Sequence, residues 1–285
     1  MRLVLLLSLT LAFCKQSPYV EPSTGMTFVP IPAGTFVMGS QQRPDERPHR
    51  VTITKPFSIS ATEVTQRQWA AVMGTNPSHF RGDPDAPVEQ ITWNDAKVFL
   101  ARLNARGNGR FRLPTEAEWE YACRAGSTTE YSVGNSLPES AANYDREKTN
   151  RVKTFAPNAW GVYDMHGNVW EWCEDEYCPY PESNIVDPKP AQCGSGLKVI
   201  RGGSFYFGAD SARSALRYTH APDLRGFSIG CGSCFSDRPG TRPFRGGTPS
   251  PRAPASAPPT ASRVSPNAGA STVPRAVSPA DCRAS

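Results

Sequence analysis

The sequence predicts an α+β domain made of short elements joined by long ordered loops, and three observations predict it. Glycine and proline, at 23 and 28 of 285 residues, interrupt any long element. Three segments in the first half carry helix punctuation at both ends. Beyond Gly126 helical periodicity disappears, and short aromatic runs alternate with Gly, Asn and Pro. A hydrophobic content of 38% with 20% charged residues suits a globular chain rather than a membrane bundle.

Met26-Thr27-Phe28-Val29, a turn at Pro32 to Gly34, and Thr35-Phe36-Val37-Met38 read as a hairpin, with further strands at Val51 to Thr54 and Phe57 to Ile59. Thr65 and Gln68 form a capping box, Trp69, Val72 and Met73 an apolar stripe, and Gly74 a stop. Asn94 is the expected cap of a second helix, in which Ala96, Phe99, Leu100 and Leu103 share one face. Thr115 and Glu118 cap a third, whose inner face holds Trp119, Ala122 and Cys123 and which ends at Gly126. Val199 to Ser204 reads as one more strand running into a glycine turn.

Three segments follow from composition. Residues 1–22 are read as a signal and tether: Arg2 precedes the apolar stretch Leu3 to Leu11, which is too short to span a bilayer. Leu11-Ala12-Phe13-Cys14 resembles a bacterial lipobox, with Cys14 the lipidation site. This predicts export and a lipid anchor at a bacterial cell envelope or surface. Phe13 is larger than the usual residue there, so a periplasmic or secreted protein with an ordinary signal stays an alternative, as does a plain hydrophobic start. Residues 23–232 are expected to fold, and 233–285 to be a disordered tail rich in Arg, Pro, Ser and Ala. The last fifty residues hold seven Arg and two Asp, so they carry the whole net charge of +5. A nucleic-acid-binding domain needs a basic face on its folded part, which excludes that class of partner. Of eight cysteines, Cys173, Cys178 and Cys193 form the group in which a disulfide is expected, and Cys123 reads as a buried small hydrophobe.

Several stretches resemble the formylglycine-generating-enzyme (sulfatase-modifying-factor) family. They are Met26 to Ser40, Glu63-Val64-Thr65, Arg112 to Ala122 (RLPTEAEWEYA), Gly167 to Trp172 (GNVWEW) and Arg201-Gly202-Gly203-Ser204, in the family's order over roughly 200 residues. The resemblance implies a C-type-lectin-like fold with little regular secondary structure. It also implies a structural calcium held by the side chains of Asp164 and Glu171 and the carbonyls of Gly167 and Val169, a set of hard oxygens that suits this ion. A second family calcium maps onto Asn143 and Tyr144, without its acidic partners.

At the catalytic position the sequence departs from the family. Family oxidases hold Cu(I) between two cysteines after the Arg-Gly-Gly-Ser turn, and counting from Ser204 those positions are Phe207 and Ala212. Neither side chain offers a thiolate, so copper is not expected and the chain reads as inactive in that chemistry. Cys173 and Cys178 share the family's four-residue gap but lie upstream of the turn. Cys231 and Cys234 have metal-ligand or redox spacing, and His49, His79, His166 and His220 are scattered. The segment Phe205, Tyr206, Phe207, Asp210, Tyr218, His220, Asp223, Phe227 resembles the variable region of proteins diversified by retroelements on this same scaffold. The expected function is non-catalytic ligand display by a surface-anchored monomer, toward a protein or surface ligand. A formylglycine-generating oxidase and an envelope-assembly role are the alternatives. The domain's Ile229-Gly230-Cys231-Gly232 is expected to run into the tail, which then replaces the family's closing strand.

Overall fold

The computed structural model describes residues 17–232 and 234–236. The signal, Cys14 and the tail from 237 onward lie outside the described residues.

In chain order the elements are strands β1 (Tyr19–Val20), β2 (Thr27–Ile31), β3 (Gly34–Met38), β4 (His49–Ile53) and β5 (Phe57–Ser60), then helices α1 (Gln66–Met73) and α2 (Trp93–Ala105). Strand β6 (Phe111–Arg112) and helix α3 (Glu116–Arg124) follow, and then, apart from a short 3-10 helix at Ala209–Ala212, come strands and loops: β7 (Trp170–Glu176), β8 (Ile185–Val186), β9 (Lys198–Arg201), β10 (Tyr218–His220), β11 (Ile229–Gly230) and β12 (Phe235–Ser236). They form a five-stranded sheet β1-β2-β5-β12-β6, a four-stranded sheet β10-β9-β7-β11 and a three-stranded sheet β3-β4-β8.

All three helices begin with a complete capping box, on Thr65, Thr92 and Thr115. The second cap is Thr92 rather than the expected Asn94, because Asp95 reaches back to the Thr92 N–H and completes the box two residues earlier. Two large apolar clusters fill the interior. One sets Trp69, Phe99, Leu103, Trp170 and Trp172 around α1 and α2; the other sets Ile31, Val51, Ile59, Trp119 and Val199 around α3. Strand β7 is buried on both faces rather than half-buried. Glu171, between the two tryptophans, is therefore interior as well.

The middle of the chain is held by buried ion pairs rather than by regular hydrogen-bond ladders. Glu116 and Glu120 stand one turn apart on α3, so both carboxylates face the same way. Arg217 makes a bidentate pair with Glu116 at 2.9 and 2.7 Å, and Tyr180 donates its hydroxyl to the same group at 3.0 Å. Arg201 pairs with Glu120 and donates to the carbonyls of Ser214, Ala215 and Leu216 at 2.7–2.9 Å. Arg124 donates to Glu120 at 2.8 Å, and Arg213 forks onto Glu46 at 3.0 and 2.9 Å.

The folded part extends past both expected borders. Tyr19–Val20 pairs antiparallel with Thr27 and Phe28, inside the segment read as tether. Phe235–Ser236 lies between β5 and β6, beyond the border at 232. A closing strand is thus present, which corrects the expectation that the tail replaces it. Two residues suffice because Phe235 stacks on Phe57 at 5.0 Å and the Arg112 guanidinium lies 3.4 Å over its ring. The expected disulfide is Cys178–Cys193, while Cys173 is a buried thiol on β7.

Two outcomes are expected. Arg201→Leu removes one of the two arginines on buried Glu120 and the donor to three loop carbonyls, and should lower unfolding free energy by about 3–5 kcal/mol in urea titrations. A chain ending at Gly232 should melt well below one ending at Ser236, and equal melting temperatures would show β12 to be dispensable.

Candidate functional site

The segment Asp164 to Glu171 is a tight turn feeding β7, and both Asp164 and Asn168 adopt positive φ, at 57° and 64°. Asp164 accepts from the Lys153 N–H at 2.9 Å and Glu171 accepts from the Trp119 indole at 3.0 Å. The structure adds a third carboxylate: Glu63 accepts from the Val169 N–H at 3.1 Å and from the Asn168 amide at 2.6 Å. Burial, reinforced by the charges of Asp164 and Glu171, pushes the Glu63 carboxyl well above its ordinary range. Burial likewise lifts Asp164 to about 6. Glu63 escaped the sequence reading as a site residue, although its Glu-Val-Thr motif was visible. Asn143 accepts the Asn168 N–H through its carbonyl, and its side-chain Oδ1 is buried with no hydrogen-bond partner. One such oxygen does not make a second coordination sphere.

The Arg-Gly-Gly-Ser turn depends on glycine at Gly203, where φ is 74° and a Cβ would sit 2.9 Å from Ala212 Cα. That close approach lays the chain from Gly208 to Ala212 directly against the turn. The two positions that the resemblance assigns to copper end up in different surroundings. Ala212 is buried with Tyr131, Leu137 and Tyr144. The half-buried Phe207 packs against Trp170 at 6.1 Å.

Phe207 belongs to a path of aromatic rings across this side of the domain. Trp170 stacks on Tyr218 at 5.7 Å, and Tyr218 meets His220 at 5.8 Å. In the other direction Phe207 meets Tyr206 at 5.5 Å, Tyr206 meets Phe227 at 5.7 Å, and Phe227 meets Phe80 and His79 at 6.4 and 6.5 Å. Tyr206 and Tyr218 are 40% and 42% exposed, which leaves two ring faces open to a partner. The structure thus gathers five of the eight expected ligand residues and adds Trp170, Phe80 and His79. Phe205 is a correction: it is fully buried beneath the path, edge-on to Phe80 at 5.3 Å, and supports it from below. Asp210 lies beside Tyr131, and Asp223 is exposed in the turn from Ala221 to Leu224. Neither has a recorded contact with the rings.

Cys123 and His166 form a buried pair away from the rings. Cys123 lies 3.8 Å from His166 Nε2, but burial raises its thiol to about 12 and lowers the imidazole to about 4. Both stay neutral at physiological pH, with His166 donating to the Ala212 carbonyl and accepting from the Ser132 N–H. Cys178 is committed to Cys193, so it does not pair with Cys173.

The sulfatase-modifying factor enzyme 1-like domain family matches residues 16–231. The chain is 29% identical to the formylglycine-generating enzyme of Streptomyces coelicolor, over 77% of this chain and 92% of that protein. It is 26% identical to the Bos taurus formylglycine-generating enzyme over 75% of each. Among solved structures, variable protein 1 of Treponema denticola superposes with a TM-score of 0.72 at 29% identity, covering 77% of this chain and 98% of that one. PvdO of Pseudomonas aeruginosa gives 0.69 at 29% identity, covering 78% and 98%. The chain belongs to the sulfatase-modifying factor enzyme 1-like family and carries its C-type-lectin-like fold.

Proposed function

We propose that this domain is a non-catalytic binding module that presents the aromatic path from His220 to Phe227 to a protein or surface ligand. The observation that carries the reading is Phe207. It stands where the resemblance places a copper-ligating cysteine, and it packs into the middle of a partly exposed row of rings. Phe and Ala side chains have no atom that binds Cu(I). Rigid aromatic rings offer large contact area with few rotamers to freeze, which is the economy of a binding surface. The chain is as similar to a variable protein of the same fold as to a formylglycine-generating enzyme, so the side chains at positions 207 and 212 weigh most in this reading. Within it, Cys14 serves as a lipid anchor that holds the module at the envelope.

The resident ion of the module is calcium, held by Asp164 and Glu171 with the carbonyls of Gly167 and Val169. The donor set fits: these are hard oxygens on one turn, and the charges of Asp164 and Glu171 beside the buried Glu63 carboxyl add to the burial that raises its proton affinity. A divalent cation would remove that repulsion and stiffen the turn that feeds β7, while Glu63 holds the Asn168–Val169 backbone in place.

A test of the binding reading has two arms. Purified protein with Cu(I), O₂ and a thiol reductant should leave a sulfatase-type cysteine peptide unchanged by mass spectrometry, beside an active family enzyme. The Tyr206→Ala/Tyr218→Ala variant should melt within a degree or two of wild type yet lose retention on immobilised bacterial surface extracts. Formylglycine product, or retention unaffected by the two substitutions, sinks the proposal. For calcium, raising the ion to a hundredfold over its Kd should stabilise the fold by about 2.7 kcal/mol. Differential scanning calorimetry would read this as roughly 5–10 °C, abolished by chelator and reduced in Glu171→Gln.

A further inference from the structure

The segment that joins β11 to β12 carries two thiols with no part in either site. Cys231 and Cys234 are both fully buried, and their side chains hydrogen-bond to each other. Each is fixed by its own backbone. The Cys231 carbonyl accepts from the Val64 N–H at 2.9 Å, the Cys234 carbonyl accepts from the Ser60 N–H at 2.8 Å, and the Cys234 N–H donates to the Ser60 hydroxyl at 2.9 Å. Between them Gly232 packs so tightly on Glu171 that a Cβ would lie 2.2 Å from its side chain. The two sulfurs are thus held side by side by anchors at both ends of a four-residue span. The other buried cysteines differ: Cys123 faces His166 and Ser214, and Cys173 sits within β7.

We propose that Cys231 and Cys234 form a second disulfide, which closes the domain at the base of β12. The same chain already joins Cys178 to Cys193, so the fold is built for an environment in which thiols are oxidised. The reaction is exchange with a disulfide-bearing thiol oxidant. One cysteine thiolate attacks a sulfur of that disulfide and releases one reduced thiol, leaving a mixed disulfide. The second cysteine thiolate then attacks its neighbour's sulfur, forms the internal bond and releases the other reduced thiol. Two protons and two electrons pass from the cysteine pair to the oxidant. Because both sulfurs are buried in the finished fold, the exchange belongs to folding, before Phe235 docks between β5 and β6. The bond then restricts the chain at the point where it enters β12, which lies between β5 and β6 in that sheet.

Reduced, denatured full-length protein is refolded in a buffer rich in oxidised glutathione, blocked with an alkylating reagent in denaturant, and mapped by peptide mass spectrometry. The expected result is a peptide carrying Cys231 and Cys234 that is unalkylated and lighter by two hydrogen atoms, with Cys123 and Cys173 alkylated. Alkylated Cys231 and Cys234, or either one joined to a different cysteine, overturns the proposal whatever happens at Cys178–Cys193. A second measurement separates the bond from simple packing. Reductant should lower the melting temperature of wild type by a few degrees more than that of the Cys231→Ser/Cys234→Ser variant. Equal shifts in the two proteins overturn the proposal.

Discussion

The arrangement of this domain rests on a buried lattice of arginines and glutamates around α3. A chain with so few regular elements has many loop carbonyls that no ladder serves, and each must find a donor when water is excluded. Arg201 meets three of them at once, on Ser214, Ala215 and Leu216, while its charge is balanced by Glu120. Arg217 balances Glu116 and donates to the Cys178 carbonyl at 2.9 Å, so the lattice also reaches the loop closed by the disulfide. In an interior of low dielectric such pairs are costly to break singly, which makes the lattice cooperative. Glu46 and Arg213 extend it to the segment after β3.

Both candidate sites hang from this frame through a single strand. On β7, Trp170 lies beneath Phe207 and Tyr218, and Trp172 donates to the Ile91 carbonyl at 3.2 Å. The intervening Glu171 points to the opposite face, where it meets Trp119 of α3. Alternation along three residues therefore couples the ring path on one side to the carboxylate turn on the other. An ion bound at the turn would act on the same strand that supports the rings. The Arg201–Glu120 pair fixes the end of β9, which runs beside β7.

Much of this was legible in the sequence because it is local. Capping boxes are four-residue patterns, and two of the three caps fall where the pattern places them. The second helix defeated the reading since both Thr92 and Asn94 are good caps, and only the reach of Asp95 decides between them. The carboxylate turn from Asp164 to Glu171 was visible as spacing, yet Glu63 joins it across more than a hundred residues, a distance that no local pattern encodes. Phe205 misled for a related reason. It shares the chemistry of its neighbours, and only the packing of Phe80 shows which of three consecutive aromatics turns inward. The closing strand was missed because two residues bounded by glycine and an Arg/Pro-rich stretch give no periodicity to detect.

The buried frame and the positions that carry the ring path are separate parts of the fold. Of the residues that make the lattice, Glu116, Glu120, Arg201 and Arg217 lie in motif segments or directly behind them, and all are buried. The positions that the resemblance gives to copper lie outside it. Phe207 touches only other aromatic rings among its recorded ring contacts, and Ala212 fills a small satellite cluster. Phenylalanine and alanine at these positions leave the buried arginine–glutamate pairs of the lattice untouched. The constraint that does act on this segment is steric. Gly203 brings the chain from Gly208 to Ala212 against the turn, which fixes the backbone whatever side chains it carries. A backbone held by contacts that do not involve the exposed rings places no steric demand on those side chains, so Tyr206 and Tyr218 are separable from the turn that carries them.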